Sequence, residues 1–134
     1  MENQEINGRV NNVVILNALP LNAVSKKTAI IYCEQLSVSE FVRAFKNYAE
    51  KAKGVKCYVR HPGTVTLLNK MLGVNLTLSD GLYSYEDDDI MFIITLKRPA
   101  RGQEVTEVKL EDLDIRLVTI NDISVLTNCS KSKR

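Results

Sequence analysis

Tryptophan is absent from this 134-residue chain, histidine occurs once and cysteine three times. One histidine and three widely spaced cysteines (Cys33, Cys57 and Cys129), with no CxxC pair, leave no ligand set for a structural zinc ion. The odd, scattered thiols read as free cysteines of a reducing compartment. Six glycines and three prolines exclude a collagen-like or low-complexity chain. A strong excess of either charge is missing too, because 18 Lys and Arg against 16 Asp and Glu leave a net charge of +2. A duplex binder neutralises many phosphates at once, so no duplex nucleic acid is expected as a partner. A small anion held by a few placed groups fits that balance. The longest apolar runs, residues 13–16 and 90–94, fall far short of the roughly 20 residues of a membrane span. The polar, acidic residues 1–5 are not a signal peptide, and a cytoplasmic protein with no membrane partner is expected. Ser-His-Asp, Walker and GxGxxG patterns are absent, and no cofactor or metal is expected.

What is present is the profile of an ordinary globular domain, 45% hydrophobic and 25% charged. The pattern divides into a polar leader over 1–10, a single domain over 11–121 and a polar basic tail over 122–134 that carries Lys131, Lys133 and Arg134. Residues 12–19 contain an unbroken apolar run, which predicts a central strand buried on both faces and ended by Pro20. Residues 28–33, rich in β-branched and aromatic types, predict a second strand. Val38, Phe41, Val42, Phe45, Tyr48, Ala49 and Ala52 then recur at helical spacing. Ser37 and Glu40 form a capping box for that helix, and Gly54 is expected to stop it.

A short strand is expected over 55–59. Pro62 opens a second helix that carries Val65, Leu68, Met71 and Leu72 to Gly73, and this places His61 at a helix N-terminus. Residues 82–86 and 90–97 are expected to pair as a hairpin around Asp87, Asp88 and Asp89, a triplet that reads as a solvated turn and not as a metal cluster. A short helix near 106–112 and a strand over 114–120 complete the chain. The expected fold is α/β (α+β): one domain with a mixed sheet of about five strands and helices packed against it.

Three places carry groups suited to chemistry on a phosphate. In Arg60-His61-Pro62-Gly63-Thr64, a helix start offers free N–H groups, Gly63 permits close backbone approach, and Thr64 adds a hydroxyl beside an imidazole. The plainer alternative is that His61 is an N-cap or packed side chain. In Lys97-Arg98-Pro99-Ala100-Arg101-Gly102, guanidinium groups follow directly on an apolar strand; alternatively this is a solvated basic turn. Asn17 and Asn22 follow the central strand, where an amide can contact a base edge or ribose, or else simply form a turn.

The ordered series Leu16-Asn17-Ala18, His61-Pro62-Gly63-Thr64 through Leu72-Gly73, and Arg98-Pro99-Ala100-Arg101-Gly102 resembles the small viral ring nucleases. These are type III anti-CRISPR proteins, best known from archaeal viruses, that degrade cyclic tetra-adenylate. The resemblance spans about residues 12–121, and the Arg60-His61-Pro62-Gly63 string is also similar to a motif of a related CRISPR-associated host ring nuclease. It implies a homodimer that binds one cyclic oligoadenylate across its interface and cleaves it without a metal. A ribose 2′-hydroxyl would attack the adjacent phosphorus to leave a 2′,3′-cyclic phosphate. His61 would be the general acid and Arg98 the phosphate ligand. Gly63 and Thr64 would hold a phosphate, and Asn17 and Asn22 would contact the ligand.

Family members place a glutamate just before the loop glycine, and Arg101 stands there in this chain. An arginine strengthens anion binding but cannot support an imidazolium as a carboxylate does; Glu104 is the nearest carboxylate. This departure keeps open a binding-only sponge or sensor of cyclic nucleotides. A third possibility is a small viral nucleic-acid-binding protein that uses the basic tail.

Overall fold

The run Val13-Val14-Ile15-Leu16 has no polar side to show to water, so its stable place is a strand covered on both faces. The computed structural model, which describes residues 9–97 and 109–122, puts it there. Strand β1 (Asn12–Leu16) is buried along its whole length. It is flanked by β3 (Gly54–Cys57) on one edge and β4 (Ile90–Leu96) on the other, both parallel to it. Strand β5 (Leu113–Asp122) runs antiparallel to β4, and β2 (Ala29–Leu36) antiparallel to β5. The result is one mixed five-stranded sheet in the order β2-β5-β4-β1-β3, the architecture expected from the sequence.

Two helices cover one face. Helix α1 (Val38–Lys51) begins at the expected capping box. The Glu40 N–H donates to Ser37 Oγ at 3.2 Å, and the Ser37 N–H donates back to Glu40 Oε1 at 2.8 Å. These bonds to Ser37 hold the Glu40 carboxyl below its usual pKa. The helix buries Phe41, Phe45 and Tyr48 against the sheet, with Phe41 edge-on to Phe92 at 5.1 Å. Helix α2 (Pro62–Leu72) inserts Leu68 and Leu72 into the same core and ends at Gly73, whose φ of +68° suits glycine. Val13, Ile15, Phe92, Ile94, Ile115 and Leu117 form the floor under both helices.

The other face is closed by irregular chain. Val14, Leu16, Met91, Val118 and Ile120 point to that side and meet Tyr85, with Leu19, Val24, Tyr58 and Tyr83 packed around them. Here the structure corrects the expected hairpin. Residues 82–86 form no strand, because both edges of β4 are already occupied, by β1 and β5. Instead Tyr85 drops onto the sheet. Its N–H donates to the Ala23 carbonyl at 2.8 Å, and its hydroxyl donates to the Ile120 carbonyl at 3.2 Å.

The acidic triplet is not uniformly solvated either. Asp88 takes a φ of +70°, and Asp89 turns inward to 2% exposure. The Asp89 carboxylate accepts from the Asn11 amide (2.8 Å), the Asn12 N–H (3.2 Å), the Tyr83 hydroxyl (2.6 Å) and the Glu86 N–H (3.2 Å). It thereby joins the start of β1 to the approach to β4. Smaller differences have equally local causes. Gly54 does not stop α1: the chain leaves at Ala52 in an extended conformation, the Lys53 N–H is captured by the Asn11 carbonyl at 2.7 Å, and Gly54 already belongs to β3. The first strand ends at Leu16, short of Leu19, and Leu21–Ala23 form a 3-10 turn after Pro20. Of the segment 106–112, where a short helix is expected, Leu110–Asp112 form a 3-10 turn and residues 106–108 lie outside the described residues.

Removing a buried charged acceptor leaves several donors without partners. Asp89→Ala is therefore expected to destabilise the fold by about 3 kcal/mol, measured by urea unfolding. A loss below about 1 kcal/mol would show that water replaces the carboxylate and that the hub is dispensable.

Candidate functional site

Strand β1 lies between β3 and β4, both parallel to it, so the three C-termini point to the same end of the sheet, with β4 running three residues past Ile93, the partner of Leu16. Asn17 follows β1, Tyr58 to His61 follow β3, and Lys97 follows β4. Open α/β sheets commonly bind ligands at this edge, where loops and helix starts converge. Asn17 and Arg60, far apart in the chain, thus come together, whereas Lys97 lines a separate cavity with Gln35, Ser37 and Glu111.

A cleft of about 420 Å³ opens there, on the face away from the helices. Asn17, Asn22 and Arg60 supply its polar groups, and Leu16, Ala23, Tyr58 and Tyr83 its apolar wall. The two asparagines expected to contact a ligand are both exposed and line the same space. Arg60 reaches across it, donating from Nη2 to the Gly81 carbonyl at 3.1 Å and the Ser79 carbonyl at 3.4 Å. Gly81 has a φ of +76°, a left-handed backbone that turns the 79–82 loop under the guanidinium.

His61 stands next door and does not line the cleft. It is the N-cap of α2. Its Nδ1 accepts the Thr64 N–H at 3.2 Å and lies 3.1 Å from the Thr64 hydroxyl. With Nδ1 accepting, the neutral ring carries its proton on Nε2. Thr64, expected on a phosphate, is 3% exposed with its hydroxyl turned to His61. Gly63 lies half-buried in the first turn of α2. Arg98, Arg101 and Glu104 lie outside the described residues.

Tyr58 and Tyr83 escaped sequence reasoning. Tyr58 sat in what reads as a strand end, and Tyr83 in the segment expected to be a hairpin arm. Burial, followed by the bond to Asp89, pushes the Tyr83 hydroxyl pKa well above its ordinary value. Burial likewise pushes Tyr85 up to about 12. Among the described residues, no group of three or more His, Cys, Asp or Glu could hold a metal ion, and no helix is long and apolar enough to cross a membrane.

No family model matches the chain, and no curated protein matches it. Among solved structures, it is similar to B116 of Sulfolobus turreted icosahedral virus, with a TM-score of 0.62 at 17% identity, covering 81% of this chain and 98% of that one. At that identity the likeness is one of fold.

Two measurements follow from this geometry. Because His61 caps α2, His61→Ala is expected to cost about 1 kcal/mol in unfolding free energy, and His61→Asn, which keeps a capping acceptor, only a few tenths. Equal losses would remove the cap. Tyrosine is charged only after losing its proton, so a raised folded pKa favours the folded state below pH 10, and this advantage disappears as pH rises through about 12. Tyr83 and Tyr85 are expected to stay protonated in the folded protein above pH 10, and stability to fall across that window. Absorbance near 295 nm reads this, and a full five-tyrosine signal from folded protein at about pH 11 would contradict it.

Proposed function

We propose that the chain is a ring nuclease that binds a cyclic oligoadenylate, with cyclic tetra-adenylate as the expected substrate, and opens it to quiet type III CRISPR signalling. The supporting observation is the convergence at one sheet edge. Asn17 and Asn22, which the resemblance assigns to the ligand, share a nucleotide-sized cleft with Arg60, and His61 begins α2 alongside. The similarity in fold to a protein of an archaeal virus accords with a viral role. A homodimer acting in the host cytoplasm is part of the same reading.

In the proposed step, the ribose 2′-oxygen bonds to phosphorus as the bond from phosphorus to the 5′-oxygen breaks. The proton lost by the 2′-hydroxyl passes to water, and the 5′-oxygen leaves with a proton from His61. No metal is needed, because the substrate supplies the nucleophile and the protein supplies position and a proton. Nε2 is the ring nitrogen free for that transfer, since Nδ1 faces Thr64. A cationic ring has N–H at both nitrogens, and the Thr64 hydroxyl 3.1 Å from Nδ1 is the acceptor within reach. Thr64 thus positions the imidazole in this proposal. Arg98 neutralises the phosphoryl oxygens, and Gly63 and Arg101 add to anion binding.

A binding-only sponge is the second reading. The role of His61 as a helix cap favours it, as does Arg101 where a glutamate is expected.

The test is to incubate the protein with cyclic tetra-adenylate and EDTA and identify the products by mass. Linear products ending in 2′,3′-cyclic phosphate are expected. His61→Asn, which keeps the cap, should slow turnover by about 10²- to 10⁴-fold while sparing affinity. Arg98→Ala should weaken binding and rate together. An intact ring that co-elutes with the protein would establish the sponge, and an intact ring that does not bind would end both readings.

A further inference from the structure

The cleft has an uncharged wall for which the proposed phosphate chemistry has no use. Tyr58 leaves the end of β3, and Tyr83 comes from the irregular chain before β4. Their ring centroids lie 5.5 Å apart at an interplanar angle of 60°, and both rings line the cleft. Each is half-buried, with its inner side on the core formed by Val14, Leu16 and Met91. Tyr83 is also held from behind, its hydroxyl bonded at 2.6 Å to the buried Asp89 carboxylate. A ring fixed in this way presents its surface to a ligand without first losing rotamer freedom.

The polar groups of the cleft, Asn17, Asn22 and Arg60, stand at the same opening. At about 420 Å³ the space falls in the range of small-molecule sites and holds about one nucleotide, not a ring of four. An apolar aromatic wall beside amides and a guanidinium matches the two halves of a nucleotide, a flat base and a polar sugar-phosphate. Flat bases stack on aromatic side chains, and the loss of one such stack weakens binding by about 5- to 150-fold.

We infer that Tyr58 and Tyr83 form a base-stacking wall that takes one adenine of the bound ring, with its sugar-phosphate turned toward Asn17, Asn22 and Arg60. This rests on the reading of the ligand as a cyclic oligoadenylate. If the tyrosines serve only to cover the sheet, replacing either by another apolar side chain leaves ligand affinity unchanged.

The test is a calorimetric titration of full-length protein with cyclic tetra-adenylate, together with NMR of the wild-type complex. Tyr58→Leu and Tyr83→Leu are expected to weaken binding by about 5- to 150-fold, and Tyr58→Phe, which keeps the ring, to bind normally. In the wild-type complex, adenine H2 or H8 should shift upfield and show cross-relaxation with tyrosine ring protons. This readout decides the matter even if a leucine variant fails to fold. Wild-type binding with unaltered affinity in both folded leucine variants, or without tyrosine–adenine cross-relaxation, overturns the stacking wall and leaves the ring nuclease reading standing. Absence of wild-type binding overturns that reading, and the wall with it.

Discussion

The Asp89 carboxylate is the point on which the second face of this protein depends. It lies in the interior with four donors around it, and these come from Asn11, Asn12, Tyr83 and Glu86. A buried charge is tolerated only when its lone pairs are filled, and here they are filled by parts of the chain more than 70 residues apart. The same bonds align the start of β1 beside the start of β4 and clamp Tyr83 over the sheet. Alongside them, the surface pair Lys26–Asp87, at 2.8 Å, ties the loop after β1 to the same turn. The cleft wall is therefore an outward extension of a buried polar hub.

The parallel order of β3, β1 and β4 has the other large consequence. All three strands point their C-termini to the same end of the sheet, so Asn17 after β1 and Arg60 after β3 are neighbours however distant they are in sequence. Strand β1, buried on both faces, is the rigid centre of that arrangement, and helix α2 starts directly beyond β3. His61 caps the helix at that junction. Its Nδ1 accepts the Thr64 N–H, which fixes the ring plane and leaves Nε2 as the nitrogen that the cap does not use. The cap belongs to the ring with a lone pair on Nδ1; a ring protonated at both nitrogens would release the Thr64 N–H and face the Thr64 hydroxyl instead.

The legible parts of the fold were those set by local periodicity and composition. Helix α1, its capping box, α2 with Pro62 first and Gly73 last, and the doubly buried β1 all follow from short stretches of sequence. The segment 82–86 did not, because its alternation of apolar and polar residues is equally served by a strand or by a loop that lays Tyr83 and Tyr85 on a sheet. Whether β4 had a free edge decided between them, and β5, some 20 residues further on, had taken it. Asp89 was illegible for a similar reason: three consecutive aspartates look alike until a buried donor set selects one.

At the site, sequence spacing placed His61 at the start of a helix and Asn17 at the end of a buried strand, since each position is bounded by its own neighbours. It also bounded the chemistry, because one histidine, few cysteines and a near-neutral charge leave only a small set of means. What tertiary structure decided was company: Asn17 and Asn22 with Arg60, Tyr58 with Tyr83, and Thr64 with His61 instead of with solvent. Local elements are encoded by neighbours within a turn or two, whereas these pairings are set by strand order and by which buried groups need a partner. Those are properties of the assembled sheet, and no window of sequence contains them.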